Sequence, residues 1–211
     1  MFTNIRKFSV AVVTSSAALA LLTACGGTDS ASTGGHDMST MSSSAPAATT
    51  ASAQPAAAFN DADVMFAQMM IPHHEQAVEM AELAETRAAD TEIKELAAKI
   101  KAAQDPEIQT MQGWLTAWGK PSPSEGTDHG MGHGMPGMMS EEDMKKLEDA
   151  KGKAFDRQFA ELMIEHHEGA IEMARTEQSQ GSNPEAKELA KTIESAQQAE
   201  VEQMQAILKR L

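Results

Sequence analysis

The sequence predicts an all-α protein: a four-helix bundle made of two repeated helical hairpins joined by a long crossover rich in Met, His and Gly. Three observations carry this reading. The first is an internal repeat. Phe66-Ala67-Gln68-Met69-Met70-Ile71-Pro72-His73-His74-Glu75-Gln76-Ala77-Val78-Glu79-Met80-Ala81 returns as Phe159-Ala160-Glu161-Leu162-Met163-Ile164-Glu165-His166-His167-Glu168-Gly169-Ala170-Ile171-Glu172-Met173-Ala174, identical at 11 of 16 positions with an offset of 93. Without a gap, the same offset lays Glu95-Leu96-Ala97 on Glu188-Leu189-Ala190, Ile100 on Ile193, and Met111-Gln112 on Met204-Gln205. The second is the helical period of the apolar residues in both copies. The third is the set of stop and start signals between them.

The elements follow in chain order. Residues 1–24 have a basic start at Arg6 and Lys7, an apolar run from Phe8 to Leu22, and small residues before Cys25. These are the three parts of a secretory signal peptide. Leu22-Thr23-Ala24-Cys25 looks like a bacterial lipobox, whose Cys is lipidated and becomes the mature N-terminus. The apolar run is too short for a transmembrane helix. The expected location is therefore outside the cytoplasm, held to the cell membrane by lipid on Cys25.

Residues 25–58 read as a disordered tether. Of the 33 residues from 26 to 58, 27 are Gly, Ala, Ser, Thr or Pro. That leaves too little apolar surface to offset the entropy of ordering them. Residues 59–211 are long enough for one domain with a core. Within it the repeats span 61–118 and 153–210, and the linker spans 119–152. Long helices are expected at roughly 61–88, 91–118, 153–180 and 184–210, with ends uncertain by ~2–4 residues. Asp90 or Thr91 suits the cap of the second long helix. Gly181 suits the stop of the third, and Asn183 with Pro184 suits the start of the fourth. Ser140-Glu141-Glu142-Asp143 has the capping pattern of a short extra helix. Pro72 and Pro106 interrupt helical hydrogen bonding and predict bends. Two hairpins with one long crossover make a four-helix bundle.

Composition narrows the function. The whole chain has a net charge of −14, and loss of the first 24 residues makes it −16. A nucleic-acid binder needs a basic footprint, so that class is excluded. Tyr is absent and Trp occurs twice, which excludes an aromatic-rich sandwich or a sugar-binding surface. One Cys cannot form an internal disulfide or a thiolate zinc cluster. Met is the anomaly, with 16 in the chain.

Helix residues advance by about 100° each, which puts Met70, His73, His74 and Met80 on the buried face or its rim. Met163, His166, His167 and Met173 do the same in the second repeat. A Met stripe alone is ordinary core filling. Two adjacent His buried twice over need a common reason, because each buried imidazole needs a partner. Metal ligation supplies one. Imidazole with thioether suits Cu(I), and imidazole alone suits Cu(II); zinc prefers Cys or carboxylate. The crossover offers a second supply of donors in His129, Met131, His133, Met135, Met138 and Met139, set among glycines. A Gly-rich strand of this kind is expected to be flexible and to wrap a soft ion by itself.

The paired Met-Ile-x-His-His-Glu-x-Ala-(Val/Ile)-Glu-Met-Ala segments closely resemble the domain-of-unknown-function 305 family. Gly137-Met138-Met139-Ser140 and Gly152-x-x-Phe155-Asp156 add to the likeness, which covers about residues 60–210. The resemblance implies an extracytoplasmic protein with a ferritin-like four-helix bundle, copper binding and copper tolerance, and no proven reaction. Matched residue by residue, it implies Met70, His73, His74, Met80, Met163, His166, His167 and Met173 as ligands. Leu162 stands opposite Met69 and weakens any such role for Met69.

The expected function is a copper-binding lipoprotein that sequesters or hands on Cu(I) or Cu(II). One alternative is a ferritin-like metal oxidase, di-iron or copper. Di-iron sites use Glu-x-x-His, and the residues three before His73 and His74 are Met70 and Ile71. The other is a Met-rich interaction module. A homodimeric partner and a copper-accepting protein both stay open.

Overall fold

A computed structural model describes residues 58–123 and 135–211. Cys25, the tether, and His129, Met131 and His133 of the crossover lie outside the described residues. Among these described residues five helices follow in order: α1 (Asp61–Arg87), α2 (Thr91–Ala117), α3 (Glu141–Asp149), α4 (Lys153–Gln180) and α5 (Pro184–Leu208). Among the described residues there is no strand. The four long helices form the bundle, and α3 is the short helix of the crossover. Among the described residues no helix is long and apolar enough to cross a membrane.

The helix ends follow from local chemistry. Asp90 caps α2 by accepting the backbone N–H groups of Glu92 and Ile93, and Asn183 caps α5 in the same way, with Pro184 at the first turn. Ser140 Oγ accepts the Asp143 N–H and starts α3. Asn60 and Asp63 form a reciprocal capping box at α1. Gly152 precedes α4 at φ 63, a left-handed conformation that favours glycine, and donates its N–H to the Arg87 carbonyl at 2.8 Å. Gly181 ends α4 at φ −65, so it is not a left-handed stop. Its missing Cβ serves packing instead, since a Cβ there would lie 2.1 Å from Glu177 Oε1. Pro72 and Pro106 sit inside α1 and α2, which run through both without a break.

Two buried aspartates tie the hairpins together at positions 93 apart. Asp63, at the start of α1, accepts the N–H groups of Ser182 and Asn183 in the α4–α5 turn, at 3.0 and 2.8 Å. Asp156, at the start of α4, accepts those of Ala89 and Asp90 in the α1–α2 turn, at 2.9 and 3.1 Å. α1 and α4 are therefore antiparallel and form the central pair. Arg210, after α5, reaches Glu92 at the start of α2 at 2.7 Å and closes the outer pair.

The core falls into two apolar clusters along this central pair. One joins Met70 and Ile71 of α1 to Ala170, Met173 and Ala174 of α4. The other joins Ala77, Met80 and Ala84 of α1 to Phe155, Phe159 and Met163 of α4. Between them in both helices stand the His pairs.

Candidate metal centre

His73, His74, His166 and His167 are fully buried, at 0% exposure. They form a polar layer across the bundle between the two apolar clusters. The helical period puts each pair on the inner face, and the antiparallel α1–α4 packing brings the pairs level. The rings of His73 and His166 stack with centroids 3.7 Å apart and planes 25° from parallel.

Each outer His meets a carboxylate of its own hairpin. His74 Nε2 lies 2.8 Å from Glu107 Oε2, and His167 Nε2 lies 2.7 Å from Glu200 Oε2. Glu107 and Glu200 are themselves 93 apart, one on α2 and one on α5. Reading the His motif alone misses both. The signal was present: they are identical residues at the repeat distance, three positions after Gln104 and Gln197, which also repeat and are buried.

The inner His are held by the crossover. His73 Nε2 lies 3.2 Å from the Pro136 carbonyl, and His166 Nδ1 lies 2.9 Å from the Gly137 carbonyl. His166 Nε2 also lies 2.9 Å from the backbone carbonyl of His73. A neutral ring has one N–H and donates to only one of those two oxygens. Burial pushes the His166 pKa down to about 3, with His167 adding to the effect. His73 is held well below the usual imidazole range by burial and by the neighbouring rings of His166, His74 and His167. The inner pair is therefore neutral at ordinary pH.

That seating corrects the expectation of a free-standing loop, at least from residue 136 on. Met139 is buried in a core cluster, and Gln76 clamps its backbone through Met139 N–H to Gln76 Oε1 at 2.7 Å and Gln76 Nε2 to Met139 O at 3.0 Å. Gly169 stands where the repeat places Gln76. A Cβ on Gly169 would lie 2.1 Å from the Pro136 oxygen, so glycine is what admits the crossover there. Gly137 has φ 77 and sits against the His166 carbonyl, which a Cβ would approach to 2.7 Å. Met135 and Met138 are half-buried.

The four motif methionines are buried, but not as one ring of donors. Met70 and Met173 lie in one apolar cluster, and Met80 and Met163 in the other. One Met from each helix thus flanks each side of the His layer.

The donor chemistry fits a soft or borderline metal ion. His73, His74 and His167 each direct Nε2 at an oxygen, while Nδ1 of each is buried without a hydrogen-bond partner. In a neutral ring, a proton on Nε2 leaves the Nδ1 lone pair free. Carboxylate and carbonyl oxygens that fix the far nitrogen of an imidazole are the usual support of metal-binding His. Among the described residues no three His, Cys, Asp or Glu side chains are grouped to hold a metal ion. Thioethers or a side-chain rotation must complete any coordination shell.

No match to a curated protein was found. A DUF305 crystal structure from Streptomyces coelicolor, described as a secreted protein, is 36% identical, with a TM-score of 0.65 over 71% of this chain and 93% of its own. A DUF305 fragment from Deinococcus radiodurans is 32% identical, with a TM-score of 0.65 over 72% of this chain and 98% of its own. CopM in its Cu(II)-bound form is 34% identical, with a TM-score of 0.60 over 70% of this chain and 96% of its own. CopM is also known in Cu(I)-bound and Ag-bound forms. The profile of the family described as Domain of unknown function (DUF305) matches residues 63–208, so the chain belongs to that family.

Proposed function

We propose that this chain is an extracytoplasmic copper-binding lipoprotein. It sequesters or hands on Cu(I) and Cu(II) and so supports copper tolerance. The observation that carries the reading is the set of three buried imidazoles whose Nδ1 atoms have no partner while an oxygen fixes each Nε2. A buried lone pair left unpaired costs roughly 1–3 kcal/mol. A metal ion removes that cost. Met70, Met80, Met163 and Met173 flank the layer and supply thioethers, which favour Cu(I). The copper-bound forms of CopM support the same choice of metal. Residues 1–24 act as a lipoprotein signal peptide, Cys25 carries the lipid, and residues 25–58 space the bundle from the membrane. His129, Met131, His133, Met135 and Met138 add further donors from the crossover.

The test is elemental analysis of protein from copper- and iron-supplemented cells, with Cu(I) titrated against a competing chelator. Copper should bind, and joint replacement of His73, His74, His166 and His167 by Ala should abolish Cu(II) binding. Bound iron without copper would overturn the reading. Cys25→Ser should release the protein from membranes; unchanged fractionation would remove the anchor from the proposal.

A further inference from the structure

The His layer is closed to solvent, so a metal ion needs a place to stop before it. We propose that an open groove between the start of α1 and the end of α4 is a second, thioether-based docking site for a soft monovalent cation, Cu(I) for this protein, formed by Met65, Met69 and Met173. This rests on the copper reading above but concerns a different place and, in Met65 and Met69, different residues.

The groove is a cavity of about 230 Å³ whose walls include Met65 and Met69 of α1 and Met173 of α4. Met65 and Met69 are one helical turn apart and share a face. Met173 comes from the antiparallel neighbour, so three thioethers border one space. Packing does not account for Met65. It is 59% exposed, the most solvent-open large apolar side chain among the described residues. An exposed Met is an oxidation liability with no packing gain. Thioether sulfur is, however, a ligand that stays unprotonated and binds Cu(I) and Ag(I) selectively over hard ions.

The groove also carries negative charge and a buried acid. Glu172 lies at its rim and Glu177 in its wall. Glu177 is 1% exposed, and neither of its oxygens receives a hydrogen bond from an N–H group. The Asp63 carboxyl lies beside it and Lys187 of α5 faces it. Glu177 keeps its proton at neutral pH, so the charge that favours a cation over an apolar ligand is that of Glu172 at the rim. The other end of the bundle has no counterpart. The repeat places Ala84 opposite Glu177, and it places Gln158 and Leu162, neither of them a thioether, opposite Met65 and Met69.

The groove also touches the layer. Pro136 forms part of its wall, and the Pro136 carbonyl is the oxygen that faces His73 Nε2 at 3.2 Å. Met173 belongs to the apolar cluster that abuts the same layer. Pro136 thus borders both the groove and the imidazole layer.

The experiment uses the mature chain labelled with ¹³C at the Met methyl groups, titrated with Ag(I) as a redox-inert stand-in for Cu(I). In the wild type, the Met65, Met69 and Met173 methyl signals should shift together. In Met65→Leu/Met69→Leu, affinity at that site should fall by roughly tenfold or more, equivalent to at least about 1.4 kcal/mol. Cu(II) binding at the His layer should be unchanged, and circular dichroism should show an intact fold. Met65 and Met69 signals that stay fixed while other Met signals move would overturn this proposal and leave the copper function standing. Failure of every Met signal to respond, with no Cu(II) bound, would overturn both. Because the wild-type spectrum decides the first point, a variant that misfolds does not rescue the idea.

Discussion

Replacing Gly169 by Ala tests whether the crossover is seated on the histidine layer. Gly169 lies inside α4, where Ala is normally the better residue by about 1 kcal/mol. Here the added Cβ would lie 2.1 Å from the Pro136 oxygen, 2.4 Å from its carbonyl carbon and 2.7 Å from Gly137 Cα. All three are backbone atoms, so no side chain can turn aside. The segment must lift, and with it go the contacts from Pro136 to His73 and from Gly137 to His166. Two lost buried hydrogen bonds cost roughly 1–3 kcal/mol each where a group is left unsatisfied. Against the gain in helix propensity, the net loss is about 1–5 kcal/mol. For a domain of this size that lowers Tm by roughly 2–4 °C per kcal/mol. Gly113 is the control: it lies in α2, is exposed, and a Cβ there would meet nothing within 4 Å. Gly113→Ala should stabilise the apo-protein by up to about 1 kcal/mol. Thermal and urea unfolding of both apo-variants, followed by circular dichroism, gives the comparison. If Gly169→Ala stabilises as much as Gly113→Ala, the crossover is not seated as described.

Three further outcomes are expected. Glu107→Gln and Glu200→Gln replace the carboxylate at the far nitrogens of His74 and His167 by a weaker, uncharged acceptor, and Cu(II) affinity should drop by about 10–100-fold in competition titrations; unchanged affinity would place those His outside the site. Joint replacement of Met70, Met80, Met163 and Met173 by Leu should leave the apo-protein folded, at less than ~1.5 kcal/mol each, yet weaken Cu(I) and Ag(I) binding and the thermal stabilisation those ions confer; a loss of apo stability alone would make these Met packing residues. Burial raises the Glu177 pKa from 4.5 to about 8, so the folded state holds a proton the unfolded chain releases, and stability should fall as pH rises across that window. Glu177→Gln should flatten this slope in pH-dependent urea unfolding. His166 works in the opposite sense: burial lowers its pKa from 6.5 to about 3, so its share of stability is present above pH 6.5 and is lost as pH falls below it.

Much of the fold was legible because the repeat reports it twice. A 93-residue offset that holds through both helices of a hairpin leaves little freedom in element number or register. The cap residues Asp90, Ser140 and Asn183 fall where their side-chain chemistry places them. The inward faces of His73, His74, His166 and His167 follow from the helical period. What the period cannot say is which neighbour a buried nitrogen meets. Glu107 and Glu200 come from the other helix of each hairpin, and Pro136 and Gly137 act through backbone carbonyls, which carry no residue-type signature. The glycines of the crossover suggested freedom, yet Gly137 and Gly169 are small because two backbones pass close together. The division of the four Met between two clusters also needs the packing of α1 on α4, which lies beyond either helix alone.

The reciprocal ties made by Asp63 and Asp156 bear on how such a chain can come to exist. Each hairpin carries both halves of the fastening, a carboxylate at the start of its first helix and two open N–H groups in its turn. A single ancestral hairpin with both parts would be complete only beside a second copy, across a self-complementary twofold interface. Joining two copies in one polypeptide preserves that closure and removes the need for the halves to be identical. The divergence is visible at matched positions: Gln76 against Gly169, Ala84 against Glu177, and an ion pair whose signs are exchanged, Glu82 with Lys101 in one half and Arg175 with Glu194 in the other. Covalent duplication thus turned a symmetric surface into two ends that can evolve separate tasks while sharing one fastening.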